Sequence, residues 1–133
     1  MKVLRTSDII TLKANGIECD FSPLTYERSL EIQECTRTVA GKVVVDGARQ
    51  TRLLVKYAVK EIRGATDFKE NPIIIKADET GLLNDQNTED AITVLLHTPF
   101  VGPLSYMSAT GNPKSYDGIE VHLNGEILIL GNE

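Results

Sequence analysis

The sequence predicts an α+β fold with about three helices in the middle of the chain, over about residues 25–110, and a β-hairpin near each end. The hairpins are predicted over about residues 9–21 and 119–130. Each contains an Asn-Gly dipeptide, at Asn15-Gly16 and Asn124-Gly125, and Asn-Gly tolerates the positive φ that a tight turn requires. Because a chain of 133 residues can bury one sizeable core, we expect a single domain.

The second strand of the N-terminal hairpin shows a clear period of two. Ile17, Cys19 and Phe21 alternate with acidic residues, which places one face of the strand on a core and the other in water. Pro23 disfavours a helical conformation at the residue before it, so the strand is expected to end there.

A first helix is predicted from Tyr26 to about Thr38. Thr25 can cap it by accepting a backbone N–H bond, and Gly41 is expected to end it. The valine run at residues 43–45 fits either a short strand or the approach to the next helix.

A second helix is predicted from Ala48 to Arg63. Leu54, Ala58 and Ile62 recur four residues apart and form its apolar face. Gly64 then stands where a helix often ends in a left-handed residue.

The late part of the chain predicts one more helix and the second hairpin. The helix is expected to begin at Asn87 or Thr88 and to end or kink at Pro99, and one further helical turn is expected within residues 103–109. The run Ile127–Leu130 is apolar on both faces, so we expect it to be covered by the core or by another copy in a homo-oligomer.

Composition argues against several classes of function. The formal net charge is -5 and the chain has no Trp, which disfavours a dedicated nucleic-acid binder. No window resembles a signal peptide or a membrane span, so a cytoplasmic protein without membrane contact is expected. Cys19 and Cys35 form no disulfide framework, and His97 and His122 lack nearby second ligands. We therefore expect neither a metal or cofactor nor enzymatic activity.

Five basic residues recur at spacings of three and four along the second predicted helix: Arg49, Arg52, Lys56, Lys60 and Arg63. On a continuous helix they would form one stripe of about four turns. The stripe is consistent with an ordinary solvated face or with a docking surface for an acidic partner, including another copy of the chain.

The order of the predicted elements resembles one viral family. A strand ends in Phe21-Ser22-Pro23-Leu24-Thr25 before a helix, and a second helix closes with Lys56 to Gly64. A polar loop containing Asp67 follows, and a late helix ends near Phe100. Over Ile9 to Asn112 this order resembles the tail assembly chaperones of long-tailed, siphovirus-like bacteriophages.

The resemblance implies a protein that coats the tape-measure protein, keeps it soluble and helps to recruit tail-tube subunits. It also implies the cytoplasm of an infected bacterium as the location, and release before the virion is complete. Since the family is largely helical, the two predicted hairpins keep a second class open, a structural virion subunit such as a tail-tube, head–tail connector or tail-completion protein. A small interaction module of a host is the third class.

Overall fold

The computed structural model describes residues 1–128, and within that part of the chain it contains eight strands and four helices. The α+β class is therefore confirmed, with one helix more than the sequence predicts. The strands are β1 (Ile10–Ala14), β2 (Ile17–Phe21), β3 (Thr36–Val39), β4 (Lys42–Val45), β5 (Val59–Arg63), β6 (Ile75–Lys76), β7 (Glu120–Leu123) and β8 (Glu126–Ile127). The helices are α1 (Tyr26–Gln33), α2 (Gly47–Ala58), α3 (Asp85–Leu95) and α4 (Val101–Thr110).

Six strands form one antiparallel sheet in the order β6-β5-β2-β1-β7-β8. Both predicted hairpins belong to it. Their Asn-Gly turns have positive φ at both residues, at Asn15 and Gly16 and again at Asn124 and Gly125, as a type I′ turn requires. In the C-terminal hairpin Ile127 is exposed, and the rest of the predicted strand beyond Leu128 lies outside the described residues.

One face of the sheet carries the hydrophobic core. Alternate residues of the central strands, such as Leu12, Cys19 and Ile62, are buried and lie side by side in the register. Side chains of α2, α3 and α4 join the same cluster, including Val55 and Met107. The helices therefore cover this face, and the other face carries mainly polar and charged side chains.

The first predicted helix is too long. It ends at Gln33, and the residues expected to continue it form β3, which pairs with β4 in a separate two-stranded sheet. Gly41 lies in the hairpin turn with Ala40, where both residues have positive φ. The physical reason is the high content of β-branched residues over 36–45, which favours extended backbone. The valine run at 43–45 is accordingly a strand.

The second predicted helix is also too long. It ends at Ala58, and Val59 adopts an extended conformation with φ -72° and ψ 132°. Residues 59–63 form β5 and pair with β2, so tertiary pairing overrides a pattern that also fitted a helix. Gly64 consequently follows a strand rather than capping a helix.

The later helices differ from the prediction at their bounds, and α3 ends at Leu95, four residues before Pro99. Helix α3 begins at Asp85, because Asn84 caps it by accepting a hydrogen bond from the backbone N–H of Asn87 at 2.7 Å. Helix α4 is a full ten-residue helix that ends at Thr110 and is capped by Gly111, where φ is +68°. The predicted helical middle thus contains four strands as well as its helices.

Gly64 meets the turn of the N-terminal hairpin at very close range. Its φ of +95° is unfavourable for any residue with a side chain. A Cβ atom at this position would clash with the carbonyl oxygen of Gly16 and lie 3.4 Å from the Cα of Ile17. The backbone of β5 can therefore approach this turn only with glycine at position 64.

Candidate functional site

The five basic residues do not form one stripe. Arg49, Arg52 and Lys56 lie on α2 at helical spacing, whereas Lys60 and Arg63 lie on β5. The predicted four-turn stripe is therefore wrong, because the helix that would carry it ends at Ala58. Only the first three remain a candidate docking surface on a helix.

Lys60 is bound within the protein. Its ammonium donates to the carbonyl oxygen of Gly81 at 2.7 Å and to that of Tyr57 at 3.2 Å. Burial lowers the pKa of Lys60, and the charge of Arg28 lowers it further. Its role is thus to tie the strand to the loop before α3.

Arg63 is the centre of an ion-pair cluster on the polar face of the sheet. Its two terminal nitrogens donate to both carboxylate oxygens of Asp20, at 2.7 Å and 3.0 Å, and its Nε donates to Glu18 at 2.9 Å. A Glu61 oxygen lies 3.3 Å from Nη1. The hydrogen bonds to Asp20 raise the pKa of Arg63, against the opposing effect of burial. A bidentate arginine–carboxylate pair of this kind is among the strong ion pairs. Arg63 therefore stabilises the fold.

Asp20 contributes to stability in a pH-dependent way. Burial raises the pKa of Asp20, but hydrogen bonds from Arg63 and from the hydroxyl of Thr11, at 2.6 Å, outweigh burial and hold the pKa below its ordinary value. A carboxylate with a lowered folded-state pKa stabilises the fold above its unfolded-state pKa, about 3.9. That stabilisation is lost as pH falls through the folded-state value.

We therefore expect the free energy of unfolding to decrease as pH falls below about 4, and to decrease less steeply in Asp20→Asn. Urea unfolding between about pH 2 and pH 6 measures both slopes. Asp117→Asn removes a carboxylate at an exposed position and serves as the control. An identical pH slope in Asp20→Asn and the unmodified protein would contradict this assignment.

An uncharged groove runs between the four helices. It consists of two adjoining cavities of about 360 Å³ and 140 Å³, which share Thr51, Leu54 and Ser105. Each cavity is lined by nine residues, and none of these residues is charged. Charged residues make up 25% of the chain, so a lining of this size without any charge marks a distinct surface.

The groove is apolar at its α3–α4 end, where two of the lining side chains are exposed. Leu96 and Val101 line it with 71% and 45% of their surface exposed. Leu54 and Ile92 are half-buried beneath them. Exposed apolar side chains that gather in one concavity are typical of a binding site rather than of scattered surface residues.

Charges lie beside the groove rather than in it. Arg52 follows the groove residue Thr51, and its Nε donates to Glu89 of α3 at 3.0 Å. Both side chains of this pair are more than half exposed, at 54% and 56%. The groove thus has an apolar floor with charged neighbours, which is the usual pattern of a protein-binding surface.

The groove was not predicted from the sequence. One signal was present, since the ten residues of α4 contain no charged side chain. The groove also needs Ile32 of α1 and Ile92 of α3, which are sixty positions apart, and only the folded arrangement of the helices brings them to one surface.

The metal-ligating and thiol side chains of residues 1–128 form no metal cluster and no exposed thiol. Within residues 1–128 no group of three or more His, Cys, Asp or Glu side chains could hold a metal ion. Cys19 and Cys35 are both buried free thiols. Burial raises the pKa of Cys19 to about 12, so its reactive thiolate is scarce at neutral pH.

Comparison with known proteins identifies no family for this chain. No family model, curated protein or solved structure matches it. Among the helices of residues 1–128, none is both long and apolar enough to span a membrane. The groove and the separate β3–β4 hairpin are therefore the two features from which a role can be inferred.

Proposed function

We propose that this protein is a tail assembly chaperone of a long-tailed bacteriophage, and that its uncharged groove binds apolar helical segments of the tape-measure protein. By covering these segments it keeps the tape-measure protein soluble in the cytoplasm of the infected bacterium. It also helps to recruit tail-tube subunits around that protein. The resemblance over Ile9 to Asn112 supports this class of function through the N-terminal hairpin and the helix after Thr25. It does not do so through Lys56 to Gly64, most of which is strand β5 rather than helix.

The groove is the observation that carries the proposal. A partner helix lying along a groove inserts apolar side chains from one face, at positions i, i+3, i+4 and i+7. The exposed Leu96 and Val101 offer apolar contacts, and Leu54 forms part of the floor that both cavities share. A groove without charges accepts many apolar sequences, which suits a chaperone that coats a long and varied partner.

Holding such a partner requires many modest contacts rather than one tight one. The two cavities are small, so each copy contributes a limited binding energy. Many copies along one long helix raise the overall avidity without any new type of contact. Arg52, which follows the groove residue Thr51, would attract acidic residues of the partner, and this attraction weakens as salt increases.

A structural virion subunit is the second candidate function. The six-stranded sheet favours it, since the chain contains more strand than the family resemblance implies. The two candidates differ in one outcome: a structural subunit remains in the mature particle, whereas a chaperone does not.

Co-expression with the tape-measure protein of the same phage tests the proposal. We expect the soluble fraction of the tape-measure protein to rise with this chain present and to fall to its unassisted level with Leu96→Asp plus Val101→Asp. The matched control is Ile74→Asp, because Ile74 is 78% exposed, lies immediately before β6 and does not line the groove. Equal solubility with and without the unmodified chain would contradict the proposal, and its recovery from purified particles would favour the structural subunit.

A further inference from the structure

The hairpin of β3 and β4 is contacted by the rest of the described chain mainly at its base. It forms a sheet of its own, and all eight of its strand residues are exposed. Its base is held firmly, because the backbone N–H of Asp46 donates to the Cys35 carbonyl at 2.9 Å and the Gln50 amide donates to the Thr36 hydroxyl at 3.3 Å. A two-stranded ribbon is marginally stable in water on its own. A face packed against another surface would stabilise it.

The strand register divides the hairpin into two unlike faces. Opposite residues in an antiparallel pair point to the same side, and alternate residues point to opposite sides. The pairs Thr36–Val45 and Thr38–Val43 form one face, and the pairs Arg37–Val44 and Val39–Lys42 form the other. We call these the neutral face and the basic face.

The two faces differ in what they can pack against. The neutral face presents only Thr and Val, with Val43 and Val45 exposed over 70% and 53% of their surface. The basic face presents Arg37 and Lys42, and two copies of it would bring four cations together. Only the neutral face can meet a copy of itself without burying a charge or opposing like charges.

We propose that the neutral face packs against the neutral face of a second copy of this chain, about a two-fold axis. In such an isologous contact the same patch serves on both subunits, so the patch must be self-complementary. Two short ribbons of Thr and Val pack face to face in the manner of stacked sheets, about 10 Å apart. The contact is independent of the groove and does not require the proposed function.

The contact is small. Four side chains per copy bury far less than the roughly 800 Å² per partner of a standard stable interface. The dimer is therefore weak, and its population depends strongly on concentration. Such a contact suits copies that are already held close together on a larger partner.

Sedimentation velocity over protein concentrations up to about 1 mM tests this, since interfaces of this size are weak. We expect a reversible monomer–dimer equilibrium for the unmodified protein, and a dissociation constant at least about tenfold higher for Val43→Lys, which places two cations across the axis. Val39→Lys is the matched control, because it adds the same charge to the basic face near the same end of the hairpin. A monomer at every concentration, or equal weakening by both variants, would overturn the proposal.

A disulfide test then locates the contact. Oxidation of Thr38→Cys should yield a covalent dimer, whereas Arg37→Cys on the opposite face should not. The native thiols are buried and do not compete. Dimers cross-linked only through Arg37→Cys would place the contact on the basic face and refute the proposal. An equilibrium abolished by Leu96→Asp but not by Val43→Lys would place the contact in the groove and refute it as well.

Discussion

Replacing Gly64 with alanine should lower the free energy of unfolding by about 3 kcal/mol or more. Two effects add at this position. The φ of +95° is strained for any residue with a Cβ atom, and that Cβ would clash with the carbonyl oxygen of Gly16. Relief requires β5 to move away from the hairpin turn, which would weaken its pairing with β2. Urea unfolding monitored by circular dichroism measures the loss.

Gly118→Ala measures the effect of backbone strain without the steric clash that is expected at position 64. Gly118 has a similar φ of +78°, but no atom lies within 4 Å of the added Cβ. Strain alone should cost about 1–2 kcal/mol there. Equal losses at the two positions would mean that the close approach to Gly16 contributes nothing.

The second large effect is expected for Arg63→Met, with a loss of about 2 kcal/mol. Methionine keeps much of the side-chain volume but removes the cation that pairs with Asp20 and Glu18. The Asp20 side chain is only 18% exposed, so its charge would lose partners that water replaces poorly. Thermal or urea unfolding at neutral pH gives the difference.

Arg52→Met supplies the comparison. Arg52 also forms an arginine–carboxylate pair, with Glu89, but both side chains are more than half exposed. Such surface pairs contribute only about 0–1 kcal/mol. A loss at Arg52 as large as that at Arg63 would contradict the assignment of Arg63 as a structural residue.

Local chemistry made parts of this fold predictable. The two hairpin turns were predictable because few dipeptides other than Asn-Gly tolerate two positive φ values, and both turns, at Asn15-Gly16 and Asn124-Gly125, have them. The alternation of Ile17, Cys19 and Phe21 likewise determines which face of β2 meets the core.

The other parts of the fold depend on contacts between residues far apart in the sequence. Residues 59–63 fit a helical period, but β2 offers them hydrogen bonds across 38 to 45 positions of chain. The strand residues among 36–45 have no buried side chain. Their sequence therefore lacks the alternation of apolar and polar residues that would distinguish an exposed hairpin from the end of a helix. The groove depends on where four helices come together, which no single segment reveals. The partners proposed for it stay predictions.

The central position of β1 has a consequence for biosynthesis. This strand pairs with β2, the next strand to be synthesised, and with β7, whose residues 120–123 emerge more than a hundred residues later. At elongation rates of about 5–20 residues per second, one edge of β1 stays open on the ribosome for roughly 5–20 s. An open strand edge is a template for aggregation. We infer that nascent chains stalled before residue 120 are the forms most prone to aggregate in the cell.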